Sequence, residues 1–218
     1  MPDTPLHLAN IVAHVLVGTV GIALGFVLLA RPKGTAQHRR WGRWFAYATL
    51  GVNLTALIGS LFFRFLPIFA TLNLLVTYQL VSGWRVIYTK AAGPSWVDAV
   101  WTGAAAIGAW VLVPIVLAHP DVAPSVVYAS LGGLAVLLLY DTIRWVFPTK
   151  WHRVVWPYEH IYKLVASLFG MLSALVGNVV HIGQPWSQVV PSIMGVLVIV
   201  FFFARWAQSR PSVVPTDA

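Results

Sequence analysis

The 218 residues contain no cysteine and only six acidic side chains. With no thiol available, disulfides, thiolate metal sites and cysteine nucleophiles are all excluded. Charge of either sign is scarce: Asp, Glu, Lys and Arg together make up 9% of the chain, where a soluble domain carries about a quarter. No stretch alternates apolar and polar residues as the wall of a transmembrane β-barrel must. No basic region precedes the first apolar run, so the segment beginning at Met1 reads as a first span and not as a cleaved signal peptide.

What is present is hydrocarbon. Hydrophobic residues make up 59% of the chain and the mean hydropathy is +0.79, so lipid is the expected solvent. Spans of about 20 residues cross a bilayer. The predicted spans are Leu6–Leu29, Trp44–Phe63, Pro67–Tyr88, Val97–Leu117, Pro124–Tyr140, Tyr158–Val180 and Val189–Trp206. Residues 1–218 are thus expected to form a single all-α domain, a polytopic transmembrane bundle of about seven helices. No room remains for a separate soluble domain.

The 14 basic residues supply an orientation. Arg31 to Arg43, Arg85 with Lys90, Arg144 to Lys163, and Arg205 with Arg210 fall at one end of the spans, and Arg64 alone at the other. The positive-inside rule then puts the carboxyl terminus in the cytoplasm and the amino terminus outside, in a cell (inner or cytoplasmic) membrane. Tryptophans such as Trp41, Trp44, Trp84, Trp145, Trp151 and Trp206 cluster at the same boundaries and read as an interfacial belt. The net charge of +8 lies beside apolar spans, where it meets anionic lipid and not nucleic acid. Membrane lipids are the expected partners, with a homo-oligomer or a larger membrane complex as the further candidates. Pro67, Pro124 and Pro157 are read as span starts, and Pro114 and Pro191 as kinks.

Polar residues within spans are candidate functional groups because lipid makes them expensive. His14 lies about 12 Å below the outer end of the first span; Asn53 or Gln79 is its expected partner, as a structural contact or as the start of a ligand or proton route. In the sixth span His160, Ser167, Ala174 and His181 recur every seven residues and share a face with Gly170 and Gly177. Such a face turns toward other helices, and a similar stripe in the second span places spans one, two and six in the interior. His160 and His181 are about 31 Å apart along the helix and cannot share a site.

At the cytoplasmic edge His38, Arg39, Arg40, Arg85, Asp141, Arg144, Glu159, His160 and Lys163 converge in depth. Glu159 with Lys163 is spaced as an i,i+4 pair and Asp141 with Arg144 as an i,i+3 pair. The set reads either as ion pairs closing the bundle or as a polar pocket for a head group, a cofactor or protons. His38 and His160 share a depth suited to two axial haem ligands. There is no HExxH pattern, and no Ser, His and acid set has an identifying spacing.

Three segments carry a resemblance: PKGTAQHRRWGRWFAYATL from Pro32 to Leu50, SGWR from Ser82 to Arg85, and EHIYKLVASLFGMLSALVGN from Glu159 to Asn178. They resemble a family of predicted bacterial and fungal multi-pass membrane proteins catalogued only as a domain of unknown function. A looser likeness is to haem membrane proteins of the cytochrome b561 type. The resemblance points to His38, Arg39, Gly42, Arg85, His160, Ser167 and Asn178, and implies no reaction.

The resulting expectation is an integral membrane protein with a polar site at its cytoplasmic end. His38, Arg39, Arg85, Glu159 and His160 are the candidate binders of haem b, a quinone or a lipid head group. His14, Asn53, Gln79, Ser167, Asn178 and His181 are the intramembrane polar candidates. The alternatives are a small transporter or proton-handling protein, and a structural or assembly protein without catalysis.

Overall fold

A computed structural model describes residues 4–119, 123–180 and 182–209. Its elements are helices α1 (Pro5–Ala30), α2 (Ala36–Phe62), α3 (Pro67–Thr89), α4 (Trp96–Leu117), α5 (Pro124–Ile143), α6 (Thr149–Val179) and α7 (Trp186–Gln208), with short 3₁₀ turns after α3 and α5. The bundle is all helical among the described residues. Six of the helices are long and apolar enough to cross a membrane, in keeping with an integral membrane protein.

The exception is α3, and its position explains why. Twelve of its 23 residues are buried, and α6 contributes a further ten; these two helices pack along one another at the centre. A helix shielded from lipid by its neighbours can carry polar groups, provided they find partners inside. Thr71 and Ser82 donate their hydroxyls to the carbonyls of Pro67 and Tyr78. The expectation that spans one, two and six form the interior is corrected for the first of them: only Gly21 and Gly25 of α1 are buried. The small residues of α1 serve close approach to α2 and α6, Val17, Ile22, Leu24, Leu28 and Leu29 pack against the core, and much of the rest of the helix is apolar and exposed.

Two helices begin well before the predicted spans. Ahead of α2, Gly34 turns the chain at φ 76°, and the Thr35 hydroxyl accepts from the His38 N–H at 3.0 Å as N-cap. The basic run through Arg43 is therefore helical. Helix α6 starts nine residues before Tyr158 and encloses Pro157, so Pro157 lies within a helix instead of opening one. Its 31 residues extend for about 46 Å, against a hydrocarbon thickness of about 30 Å. The excess carries Lys150, Trp151, Arg153 and Trp156. This end, shared with the starts of α2 and α4 and the ends of α3 and α5, is the basic end of the bundle.

Lys33 closes α1 there: its ammonium donates to the carbonyls of Leu28, Leu29 and Arg31, each at 2.8 Å, the groups a helix end leaves without partners. Partial burial, and then the neighbouring Arg205, hold this lysine below its ordinary pKa.

Gly83 sets the distance between the two central helices. A Cβ there would lie 2.6 Å from Lys163 Cβ and would also meet Leu164 Cδ2. Gly83→Leu is expected to push α3 from α6 and destabilise the protein by about 1–3 kcal/mol, the usual range for overpacking. An unchanged melting temperature in both detergent and lipid would show that this approach does not hold the bundle.

Candidate functional site

Six charged side chains meet at the basic end. Three of the chain's six acids, Asp98, Asp141 and Glu159, are all those among the described residues. They lie in one network with Arg85, Arg144 and Lys163. Three negative charges therefore face three positive ones. Lys163 has a side-chain exposure of 0%, Asp141 of 2% and Arg144 of 4%, whereas Arg85 at 29% is the member that reaches the surface.

Each position follows from a local device. Ser95 is the N-cap of α4 and Asp98 its third residue, forming a capping box. The Asp98 carboxylate accepts from the Ser95 N–H and hydroxyl, both at 2.8 Å. Arg85, near the end of α3, adds Nε to Oδ1 at 2.9 Å and Nη2 to Oδ2 at 3.2 Å. The fork of Arg85 thus ties α3 to the start of α4.

Arg144 is the hub. The 3₁₀ turn after α5 carries it back into the bundle, where Nη1 donates to Glu159 Oε2 at 2.6 Å. Nη2 stands 3.7 Å from Asp98 Oδ1 and Nε 3.6 Å from Asp141 Oδ1. The other Glu159 oxygen accepts from the Tyr140 hydroxyl. Lys163 Nζ donates to Asp141 Oδ1 at 2.6 Å. The Tyr78 hydroxyl donates to Asp141 Oδ2 at 2.6 Å and so accepts from the Thr102 hydroxyl, 2.7 Å away.

The predicted i,i+3 pair of Asp141 with Arg144 is present. The predicted Glu159 to Lys163 pair is replaced: Glu159 takes Arg144 and Tyr140, while Lys163 takes Asp141. A planar guanidinium fork reaches several carboxylates at once, which leaves the single ammonium for the remaining one.

The two histidines expected to meet lie at this same end, apart from the carboxylates. His160 donates Nδ1–H to the Gly83 carbonyl at 3.0 Å, because a carbonyl can only accept. His38 is near enough to feel the charge of His160, and its buried Nδ1 has no hydrogen-bond partner. Arg39 turns away to the Gly34 carbonyl at 2.8 Å. Of the five predicted binders, Arg85 and Glu159 thus belong to the ionic network, His160 bonds the Gly83 carbonyl, His38 has no hydrogen bond at Nδ1, and Arg39 caps a turn.

His14 does not bond Asn53 or Gln79. Its Nδ1–H is shared between Thr55 Oγ1 at 2.9 Å and the Val52 carbonyl at 3.2 Å. With Asn10 Nδ2 on the Thr55 carbonyl at 3.1 Å, it fastens α1 to α2. Asn53 Nδ2 and Gln79 Oε1 are buried without partners. Ser167 is buried and bonds back to Leu164 at 2.8 Å. Asn178 is exposed and bonds back to Ala174 at 2.8 Å, and His181 lies outside the described residues.

Sequence reasoning missed Asp98, Tyr78 and Tyr140. Two signals were present: the rarity of acids in an apolar chain, and the Ser-x-x-Asp pattern from Ser95 to Asp98. Among the described residues no group of three or more His, Asp or Glu could hold a metal ion.

Two cavities accompany these groups. One of about 230 Å³ lies between α3, α5, α6 and α7 and is lined mainly by apolar side chains, with Gln79, Ser130, Tyr162, Ser173, Gln188 and Ser192 among its polar members. The second is a cleft of about 710 Å³ between α1 and the start of α2, bordered by Arg40, Trp41 and Trp44. Neither is lined by His38 or His160. The chain matches no protein-family model, no curated protein and no solved structure.

Proposed function

We propose that the protein is a multi-pass protein of a cell membrane, spanning it seven times with the basic end cytoplasmic, and that its ionic network handles protons. The observation that carries this reading is Lys163, wholly buried and hydrogen-bonded to an Asp141 carboxylate that also holds Tyr78. Ionised groups at such depth are expensive, and replacing buried ion pairs by packed hydrocarbon is often neutral or stabilising. A chain this poor in charge that concentrates six ionised side chains in one buried network has a use for them beyond packing. Protonation of Asp141 would remove the negative charge that faces Lys163 and weaken the hydrogen bonds the carboxyl accepts from Lys163 and Tyr78. A proton bound there thereby acts on α3, α5 and α6 at once, through Tyr78, Asp141 and Lys163.

A second reading, a purely structural clasp, draws on the network's neutrality and on the number of hydrogen bonds its carboxylates accept. Infrared difference spectroscopy of the protein in lipid separates the two. Proton exchange predicts a carboxylic-acid C=O band that appears and disappears reversibly with pH while the helices stay folded, and that Asp141→Asn removes. A folded protein that shows no such band at any pH is a clasp.

A further inference from the structure

The cavity between α3, α5, α6 and α7 is elongated along the bundle. From Leu72 to Gln79 on α3 it extends for about 10 Å, and from Gln188 to Ile199 on α7 for about 16 Å. Its lining is mostly apolar: Leu72, Leu75, Val126, Phe169, Val189 and Ile199 are among the walls. At the end toward the ionic network stand Gln79 and Tyr162. Tyr162 packs against both central hydrophobic clusters and feels the charge of Asp141.

Two observations define what this space would accept. Gln79 is 5% exposed and its Oε1 is buried without a hydrogen-bond partner. Gln79 also lines the cavity, and an amide left short of partners in an apolar surrounding is costly, so a ligand whose head bonds that amide is favoured. The opening lies on the side of the bundle, where α5 and α7 meet only sparsely. There Ala129 and Val196, both exposed, stand on the rim. In a membrane that seam faces hydrocarbon, so entry is lateral, from the bilayer.

We propose that this cavity binds a membrane-soluble single-chain amphiphile bearing a hydroxyl or similar donor on its head. The head bonds the side-chain amide of Gln79 where it lines the cavity, the first part of the chain fills the cavity, and the rest of the chain passes between α5 and α7 into the bilayer. The space of about 230 Å³ equals about seven or eight water volumes of roughly 30 Å³ each, enough for a head and a few methylenes. This inference stands on the cavity and on Gln79, independently of proton exchange at Asp141.

The test uses the full-length protein in lipid nanodiscs and two photoreactive probes, a long-chain alcohol and the corresponding hydrocarbon, each carrying a diazirine near the head end. Mass spectrometry maps the labelled residues. The alcohol is expected to label cavity residues such as Ser130 and Ile199 well above lipid-facing Val12 and Leu16 of α1. Gln79→Leu should reduce that labelling about fivefold, the loss of one net hydrogen bond, and leave hydrocarbon labelling unchanged. Ala129→Phe, at the exposed rim where a larger side chain leaves the core intact, should block both probes and remains informative if the Gln79 variant does not fold. Equal labelling of the cavity and α1, or no effect of Ala129→Phe, would overturn the site. An alcohol signal unaffected by Gln79→Leu in folded protein would overturn the role of Gln79.

Discussion

Arg144→Met should be the most damaging single replacement in the protein. Arg144 stands within ion-pair distance of all three carboxylates of the network, and its loss leaves three buried negative charges facing two positive ones, of which only Lys163 is fully buried. Removing one partner of a buried charge set costs about 3–5 kcal/mol, because the groups left behind keep their desolvation penalty without its compensation. The variant is expected to lose cooperative unfolding in mild detergent or to be recovered mostly as aggregate. Arg144→Lys should rescue little of this, since a point charge on a flexible stem cannot serve three carboxylates where a planar fork does. Full stability of Arg144→Met, measured by thermal unfolding in lipid, would mean that the network is not ionised as drawn.

The second large effect is a coupling and not a loss. Lys163→Met leaves Asp141 without its ammonium, and Asp141→Leu leaves Lys163 without its carboxylate. Each single variant should be destabilised by about 3 kcal/mol or more. The double variant removes one charge of each sign, so the remaining Asp98, Glu159, Arg85 and Arg144 stay balanced two against two. It should recover most of the stability, with a coupling free energy above about 2 kcal/mol in a double-mutant cycle, against the 0.5–3 kcal/mol usual for contacting residues. Additive losses would show that the two groups act independently despite their 2.6 Å separation. Should the double variant be stable and folded, it is also the right material in which to ask whether any transport or proton activity survives without the pair.

The particular residues show where sequence reasoning reached and where it stopped. Predicted spans and observed helices agree closely for α1, α3 and α4, because a run of apolar residues bounded by proline, glycine or charge admits few alternatives in lipid. The starts of α2 and α6 were placed too late. The segments with His38 to Arg43 and Lys150 to Trp156 are basic and read as connections, yet neither contains a proline and the single glycine, Gly42, is accommodated within α2, so each continues as helix beyond the apolar core. The convergence of Arg85, Asp141, Arg144, Glu159 and Lys163 in depth was visible because depth follows from counting residues along a helix. Which of them touch was not visible.

The partners that matter are far apart in the chain: Tyr78 and Asp141 are 63 residues apart, Asp141 and Lys163 22, and Arg144 and Glu159 15. The local i,i+4 rule proposed Glu159 with Lys163, and it lost to an arginine brought in by the turn after α5.

Composition and charge placement alone determined that this is an all-helical bundle suited to a membrane, with one basic end, because the bilayer constrains every residue individually by polarity and depth. Tertiary structure alone decided that α3, the one of the seven helices without a run apolar enough to cross a membrane, takes the centre. It also decided that Asp98 and two tyrosines complete the ionic network, and that an unpartnered Gln79 faces a lateral cavity. Those outcomes depend on which helix faces meet, and helix packing is settled by the fit of small residues such as Gly83 and Gly25 against specific side chains of α6, information that no single stretch of sequence carries.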